Sequence, residues 1–340
     1  MTAKNVCVLG ATGAVGQQMI QCLEEASFPI ASLKLIASKS SVGKTAKFLG
    51  EDIALQEAKD GCFDDVDIVL SAVENNIAKI WIPKAVKAGA VVVDNSSAYR
   101  LDKDVPLVVA EVNPQDIEQN NGIIANPNCA TIIALLAVAP LHKQATIKRM
   151  IVSTYQAASG AGMPGITELL TQQKAIAQGS DVPEPKAFVD QLAMNLIPDI
   201  GGIGDNFYTS EEMKMQNEGR KILHHENLRV NCTCVRVPIA RSHSESITVE
   251  FENEMTPDMA RDILADAKGV KLIDDVRNDD PKKRYPMPLY TSDQDLVFVG
   301  RIREDISAFE PNKSLALWCT GDQIRIGAAT NAVKIAQHLI

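Results

Sequence analysis

The stretch "NVCVLGATGAVGQQMIQCLEEA", beginning at Asn5, constrains the fold more than any other part of the chain. A short, continuously apolar run ends on Gly10, and a segment with helical spacing of apolar residues follows. Gly10, Gly13 and Gly16 lie between the two. Glycines there let the backbone turn tightly and come close to a pyrophosphate, and the helix start offers free N–H groups and a positive dipole end. The spacing is G-x-x-G-x-x-G rather than G-x-G-x-x-G, so a glycine-rich turn that binds nothing is the alternative.

The pattern continues as "LKLIAS", "VDIVLSA", "AVVVDNS" and "GIIANPN", read as strands, with "NIAKIWIPKAVKAG" a helix closed by Gly89. Continuous Val/Ile/Leu strands separated by helices predict a parallel sheet covered on both faces. After about residue 140 the strands lengthen and alternate more with polar residues, as in "IKRMIVSTYQAAS", "LRVNCTCVRVPI" and "SITVEFEN". That predicts an antiparallel or mixed sheet with helices on one face. A chain of 340 residues is comfortable for two domains. The expected division is residues 1–128 with 323–340 as a dinucleotide-binding domain and 129–322 as a second, mixed-sheet domain.

Bulk chemistry excludes some partners. A formal net charge of -9 repels nucleic-acid backbones. The start "MTAKNVCVLG" lacks the pattern of a secretory signal, and runs such as "IIALLAVA" are too short to span a bilayer. The 7 cysteines form an odd, scattered set without C-x-x-C, which points to reduced thiols in a cytoplasmic protein and to no metal site. Cys232 and Cys234 alternate on one predicted strand face, where cysteine is a small apolar residue.

The end of the second strand bears on the cofactor. A dinucleotide site for NAD usually has Asp or Glu there, on the ribose hydroxyls. This chain has Ser38, Lys39, Ser40 and Ser41. Hydroxyls and a cation suit a 2′-phosphate and no carboxylate repels it, so NADP is expected. A solvated loop is the alternative.

"NPNCAT", residues 126–131, singles out one thiol. Pro127 favours an extended Asn126, so a helix beginning at or just after Asn128 holds Cys129 in its first turn. The dipole and free N–H groups there favour thiolate and could hold an oxyanion. An inert, half-buried cysteine remains open. Among 5 histidines, His243 in "RVPIARSHSES" is the best acid/base partner, with a turn histidine satisfied by backbone as the alternative. Arg236, in an apolar strand, needs a partner: a substrate carboxylate or a structural Asp or Glu. Gln156 is a strand-end amide able to orient a carbonyl, and Ser159 and Gly160 are small enough for a nicotinamide to lie close. Glu211 and Lys214 share a helix face at i, i+3, where a surface ion pair is equally open. Arg100 is ambiguous alone.

Together, "GATGAVG", "VVVDNSSAYR", "EVNP", "NPNCAT", "STYQAASGAG", "EEMK", "CVRVP" and "HSES" resemble the aspartate-semialdehyde dehydrogenase family in order and approximate spacing. "FVGRIRED" and "DQIRIGAA" extend the similarity over nearly the whole chain. The resemblance implies an α/β fold. A Rossmann-type dinucleotide-binding domain would accompany an α+β mixed-sheet substrate and dimerisation domain, the plan shared with glyceraldehyde-3-phosphate dehydrogenase. It implies a homodimer that reductively dephosphorylates L-4-aspartyl phosphate to L-aspartate 4-semialdehyde with NADPH, on the route to lysine, methionine and threonine. It makes Cys129 the nucleophile that carries a thioester, His243 the acid/base and Gln156 the group that orients the thioester. Arg236 grips the α-carboxylate, Glu211 the amino group, and Arg100 and Lys214 the phosphate. Gly10, Thr12, Gly13, Ala14 and Val15 line the pyrophosphate, while Ser38, Ser40 and Ser41 neighbour the 2′-phosphate. Ser159 and Gly160 approach the nicotinamide, and Gln323 stands where the family has a polar amide near the cofactor. Residues from about 172 to 205 match poorly, Ser40 stands where some relatives carry Arg, and Thr330 stands where a tryptophan is expected.

Two other readings compete. N-acetyl-γ-glutamyl-phosphate reductase uses similar chemistry on an acylated substrate, which has no free amino group for Glu211. A non-redox cysteine acyltransferase or hydrolase would bind no nucleotide.

Overall fold

The computed structural model describes residues 2–340. Two compact units emerge, Met1–Asn128 with Ala328–Ile340, and Cys129–Gly327. Among the described residues no helix is long and apolar enough to cross a membrane.

The first unit is built on seven strands: β1 (Lys4–Leu9), β2 (Ile30–Ala37), β3 (Thr45–Phe48), β4 (Glu51–Glu57), β5 (Ile68–Ser71), β6 (Val91–Asp94) and β7 (Ile123–Ala125). Their order is β3-β4-β2-β1-β5-β6-β7. All neighbours are parallel except β3 and β4. Strand alternation explains the two layers around the sheet. Val6 and Val8 of β1 join one core with Met19 and Leu23 of α1 (Ala14–Glu25) and with Val333 and Ile335 of a C-terminal helix. Cys7 and Leu9 join the other with Ala78, Ile82 and Ala85 of α2 (Asn75–Lys87). Each large apolar side chain buried this way is worth about 1.5–3 kcal/mol.

The parallel sheet is the expected one, but its β3–β4 edge hairpin is not. Leu49 and Gly50, both at positive φ (51° and 82°), make its two-residue turn. Such a turn normally announces itself by Asn-Gly or Asp-Gly. Leucine in the first place hides it.

The second unit holds a six-stranded mixed sheet of β8 (Ile147–Gln156), β9 (Arg229–Arg236), β10 (His243–Phe251), β11 (Val270–Leu272), β12 (Val297–Glu304) and β13 (Ser314–Gly321). The order is β11-β12-β13-β10-β8-β9, with β8–β9 and β11–β12 parallel and the other pairs antiparallel. Its longer helices are α3 (Cys129–Ala145), α4 (Gly162–Ala177), α5 (Ser210–Ile222) and α6 (Pro257–Ala265). α3 is buried along nearly its whole length and packs on β8, β10, β12, β13, α5 and α6. A helix apolar on every side belongs in the interior. The segment after α4 carries almost no regular structure and is read by two α4 side chains instead. Glu168 accepts from the backbone N–H groups of Lys186 and Ala187, and Gln172 from those of Leu192 and Ala193.

The chain was expected to return to the first unit at residue 323, whereas the compact division falls at Ala328. Residues just beyond β13 stay bound to the second unit, as where Gly327 N–H donates to Asp322 O. The return is secured by Asn331, fully buried. Its amide donates to Val108 O (2.9 Å) and Asn126 Oδ1 (2.6 Å), and its oxygen accepts from Ala110 N–H (2.9 Å). Replacing Asn331 by Leu, similar in size, removes these bonds and strands buried polar groups, at a cost of about 2–4 kcal/mol. Thermal unfolding of Asn331→Leu should show a midpoint several degrees lower; an unchanged midpoint would mean the amide adds nothing to stability.

Candidate active site

The register of the second sheet gathers the polar residues at one end. β8 and β9 run parallel and pair Gln156 with Arg236, their last residues. β10 runs antiparallel to β8. Its first residue, His243, therefore starts beside those two ends. α3 begins at Cys129, directly after the Pro127-Asn128 step, and its sulfur lies 3.5 Å from His243 Nε2. Cys129 is the half-exposed cysteine; the other six are buried.

His243 is fully buried. Burial, then the neighbouring Arg236 charge, lowers its pKa to about 3 against a smaller opposing pull from Glu211, so the ring is neutral near pH 7. Ala157 N–H donates to Nδ1 at 3.0 Å. The neutral ring therefore carries its proton on Nε2, the nitrogen that faces the sulfur.

Gln156 Nε2 lies 3.5 Å from His243 Nε2 and donates to Glu211 Oε1 at 3.1 Å. Thr154 donates to Gln156 Oε1 at 2.8 Å, which fixes which way the amide points. Lys214 Nζ donates to Glu211 Oε2 at 2.9 Å. This pair is no surface decoration, since the Glu211 side chain is only 8% exposed. Arg236 donates to Ala157 O at 2.7 Å and pairs with no carboxylate among the described residues. Burial lowers its pKa, while the charges of Cys129, Glu211 and Cys234 hold it up. This buried guanidinium thus has negative charge near it but no carboxylate at salt-bridge distance among the described residues.

Two glycines are dictated by close approach. A Cβ on Gly160 would lie 2.5 Å from Arg236 Nη1, and one on Gly327 would lie 3.0 Å from Cys129 Cβ. Gln323 ties neighbouring turns together: its oxygen accepts from Ser242 N–H at 3.0 Å and its amide donates to Ser159 Oγ.

In the first unit, Gly10 has φ +89°, and a Cβ there would meet Ala72 O at 2.5 Å. A Cβ on Gly16 would meet Gly10 O at 2.2 Å. The extended Gly13 caps α1 without any side-chain bond, and no acidic residue stands in its first turn. Free N–H groups thus remain at a helix start beside Thr12, Ala14 and Val15. This cradle fits a dinucleotide pyrophosphate. Beyond β2, Ser38 and Ser40 share a hydrogen bond of 2.9 Å and Ser41 is buried in a short 3₁₀ turn. Arg100 is buried, with Nε donating to Asn126 O (2.9 Å) and Nη2 to Asn95 O (2.7 Å).

The chain matches the semialdehyde dehydrogenase NAD binding domain over residues 5–120 and the semialdehyde dehydrogenase dimerisation domain over residues 138–326. It is 47% identical to the aspartate-semialdehyde dehydrogenase of Aquifex aeolicus, over 98% of this chain and 97% of that protein. Against the enzyme of the same name from Campylobacter jejuni the identity is 48%, over 98% and 96%. The chain belongs to the aspartate-semialdehyde dehydrogenase family. Two solved members superpose along its length. Aspartate semialdehyde dehydrogenase II from Vibrio cholerae, complexed with ASA, gives a TM-score of 0.95 at 41% identity, covering 100% of this chain and 98% of that one. The Candida albicans enzyme with NADP gives 0.75 at 27% identity, covering 99% and 98%.

Some residues of this family member's site escaped sequence reasoning. Thr154 and Ala157 flank Gln156, yet a threonine in a strand and a backbone N–H carry no signal of their own. Glu245 is fully buried, and neither oxygen has a hydrogen-bond partner among the described residues. Burial, then the nearby Cys234 and Glu211, pushes its carboxyl well above the usual range, so it stays protonated. Its position two residues after His243, on the same strand face, was the available clue. Raised pKa values from burial also quiet the Cys7, Cys62, Cys319 and, with its neighbour Cys234, Cys232 thiols. Limited alkylation with iodoacetamide at pH 7 should therefore modify Cys129 alone; comparable labelling of any other cysteine would contradict the exposure pattern.

Proposed function

We propose that this aspartate-semialdehyde dehydrogenase family member interconverts L-4-aspartyl phosphate and L-aspartate 4-semialdehyde through a thioester on Cys129, with NADP as hydride carrier. The observation that carries the reading is the Cys129 sulfur at a helix start, 3.5 Å from His243 Nε2, beside an arginine with no carboxylate at salt-bridge distance among the described residues. In the biosynthetic direction the thiolate attacks the acyl phosphate and expels phosphate. The positive dipole end of α3 stabilises the tetrahedral oxygen, and His243, neutral with its proton on Nε2, acts from the acid side, as hydrogen-bond donor to the thiolate before attack and again as it leaves. Bound nicotinamide supplies the hydride that takes the thioester to the aldehyde level. Gln156, held by Thr154, orients the thioester carbonyl.

Arg236 grips the substrate α-carboxylate, Glu211 its ammonium group, and Lys214 and Arg100 the phosphate. Gly10, Thr12, Gly13, Ala14 and Val15 cover the pyrophosphate, and Ser38, Ser40 and Ser41 lie by the 2′-phosphate. Ser159 and Gly160 border the nicotinamide, and Gln323 lies near the cofactor. Supporting NADP are the absence of a carboxylate where β2 ends and its presence in the Candida albicans relative. The product feeds lysine, methionine and threonine synthesis, and the working form is a homodimer, in keeping with the matched dimerisation domain. Glu211 argues against N-acetyl-γ-glutamyl-phosphate reductase: its carboxylate has one cation in Lys214 and suits the substrate's ammonium group as a second, which an acylated nitrogen does not supply.

The test is phosphate-dependent reduction of NADP by aspartate semialdehyde, repeated with NAD and with N-acetylglutamate semialdehyde. Activity confined to the latter, or independent of phosphate, would refute the proposal. Cys129→Ala should abolish turnover, a fall of at least about 10³-fold, while NADP still binds. Arg236→Leu should raise KM for the semialdehyde by about 10²-fold, from loss of a buried charge-assisted contact. An unchanged KM would return that arginine to a purely structural role.

A further inference from the structure

A groove of ≈ 600 Å³ opens in the first unit, between α1 and the β3–β4 hairpin. Ala11 and Thr12 of the glycine-rich loop line it on one side, and Ser41, Lys44 and Lys47 on the other. It thus joins the two segments already read as cofactor contacts to a hairpin that sequence reasoning had passed over. Lys39, the cation first expected to serve a 2′-phosphate, does not line this groove; it opens the 3₁₀ turn as an exposed residue.

We propose that Lys44 is the residue that selects the 2′-phosphate of NADP. The proposal deepens the cofactor reading above and rests on it. Three observations single out Lys44. Its backbone is pinned on both sides, with N–H donating to Ser41 O (3.2 Å) and C=O accepting from Leu55 N–H (2.9 Å). Gly43, at φ +89°, makes the turn that brings it back beside Ser41. Its ammonium group pairs with no carboxylate among the described residues, so the charge is available. Lys47 is a poorer choice, because it lies across the ladder from Asp52. Glu24, which lines the groove from α1, would repel a phosphate placed against it, and so favours the part bounded by Thr12, Ser41 and Lys44.

In a protein of net charge -9, a doubly charged 2′-phosphate needs such a local cation to offset long-range repulsion. Lysine acts here as a point charge beside hydroxyls, whereas a nearby carboxylate would favour the unphosphorylated ribose.

The experiment is calorimetric binding of 2′,5′-ADP and of 5′-AMP to the wild type, Lys44→Ala, Lys44→Arg and Lys39→Ala. The wild type should prefer 2′,5′-ADP. Lys44→Ala should weaken 2′,5′-ADP about tenfold while 5′-AMP changes less than about twofold, the worth of one charge-assisted contact at a partly exposed site. Lys44→Arg should restore most of the loss, and Lys39→Ala should change neither ligand beyond about twofold. A Lys44→Ala protein that keeps its full preference, or that loses both ligands equally, overturns the proposal. A wild type indifferent to the 2′-phosphate overturns the NADP reading itself and this inference with it. Competition of inorganic phosphate with 5′-AMP as strongly as with 2′,5′-ADP would reduce the groove to a general anion site and also overturn it.

Discussion

The pairing of β10 against β8, and of β8 beside β9, is the constraint on which the chemistry depends. It brings residues 156, 236 and 243 to one edge of a sheet although β9 begins more than seventy residues after β8 ends. A slip of one residue in β10 would turn His243 and Glu245 to the opposite face and leave Ser244 in their place. The sulfur is held just as firmly. α3 is packed on several strands and two helices, so its first residue cannot drift without displacing a core. Reactive distances of a few ångströms are thus inherited from strand register and helix burial, and need no flexible loop to assemble them.

Burial then sets the charges. The same enclosure leaves His243 neutral, Glu245 protonated and Arg236 charged with no carboxylate at salt-bridge distance among the described residues. Each state is unfavourable by the standards of an ordinary core, where polar groups are matched in pairs. Local conflicts of this sort accumulate where function overrides stability, and the surrounding apolar layers tolerate them. Glu211 is the exception that fits the rule. It is matched by Lys214 and Gln156, which hold its carboxylate in a fixed orientation.

Legibility from sequence followed locality. The β1–glycine–α1 turn could be read because the apolar run, the glycines and the helix are contiguous. Cys129 could be read because a proline two residues earlier nearly fixes where its helix starts. Gln156 stood out as an amide at a strand end, Arg236 as a cation in an apolar strand, and His243 as a histidine in a polar stretch between two strand patterns. What was hidden depends on partners far away in the chain. Thr154 matters because of the direction in which it turns an amide, and Ala157 because its N–H decides a tautomer. The region after α4 lacks periodicity because Glu168 and Gln172 supply bonds that a ladder or helix would otherwise make. The β3–β4 hairpin was lost to a leucine in its turn, although its strands alternate as expected.

These two kinds of legibility correspond to two kinds of constraint. Bond-making residues sit on buried elements, where a change in register or volume is felt by every neighbour. In the proposed function the cofactor's phosphates are met differently, by backbone N–H groups at a helix start and by side chains on short turns and an edge hairpin. Backbone recognition of the pyrophosphate requires only that Gly10 and Gly16 lack a Cβ, whatever the identity of Thr12 or Val15. In that proposal, discrimination at the ribose falls mainly to residues such as Ser38, Ser40 and Lys44, which are exposed, so that their replacement hardly disturbs the fold. A chain built this way can alter its preference among dinucleotides by one or two surface substitutions, while the thiol, imidazole and guanidinium remain locked to the sheet.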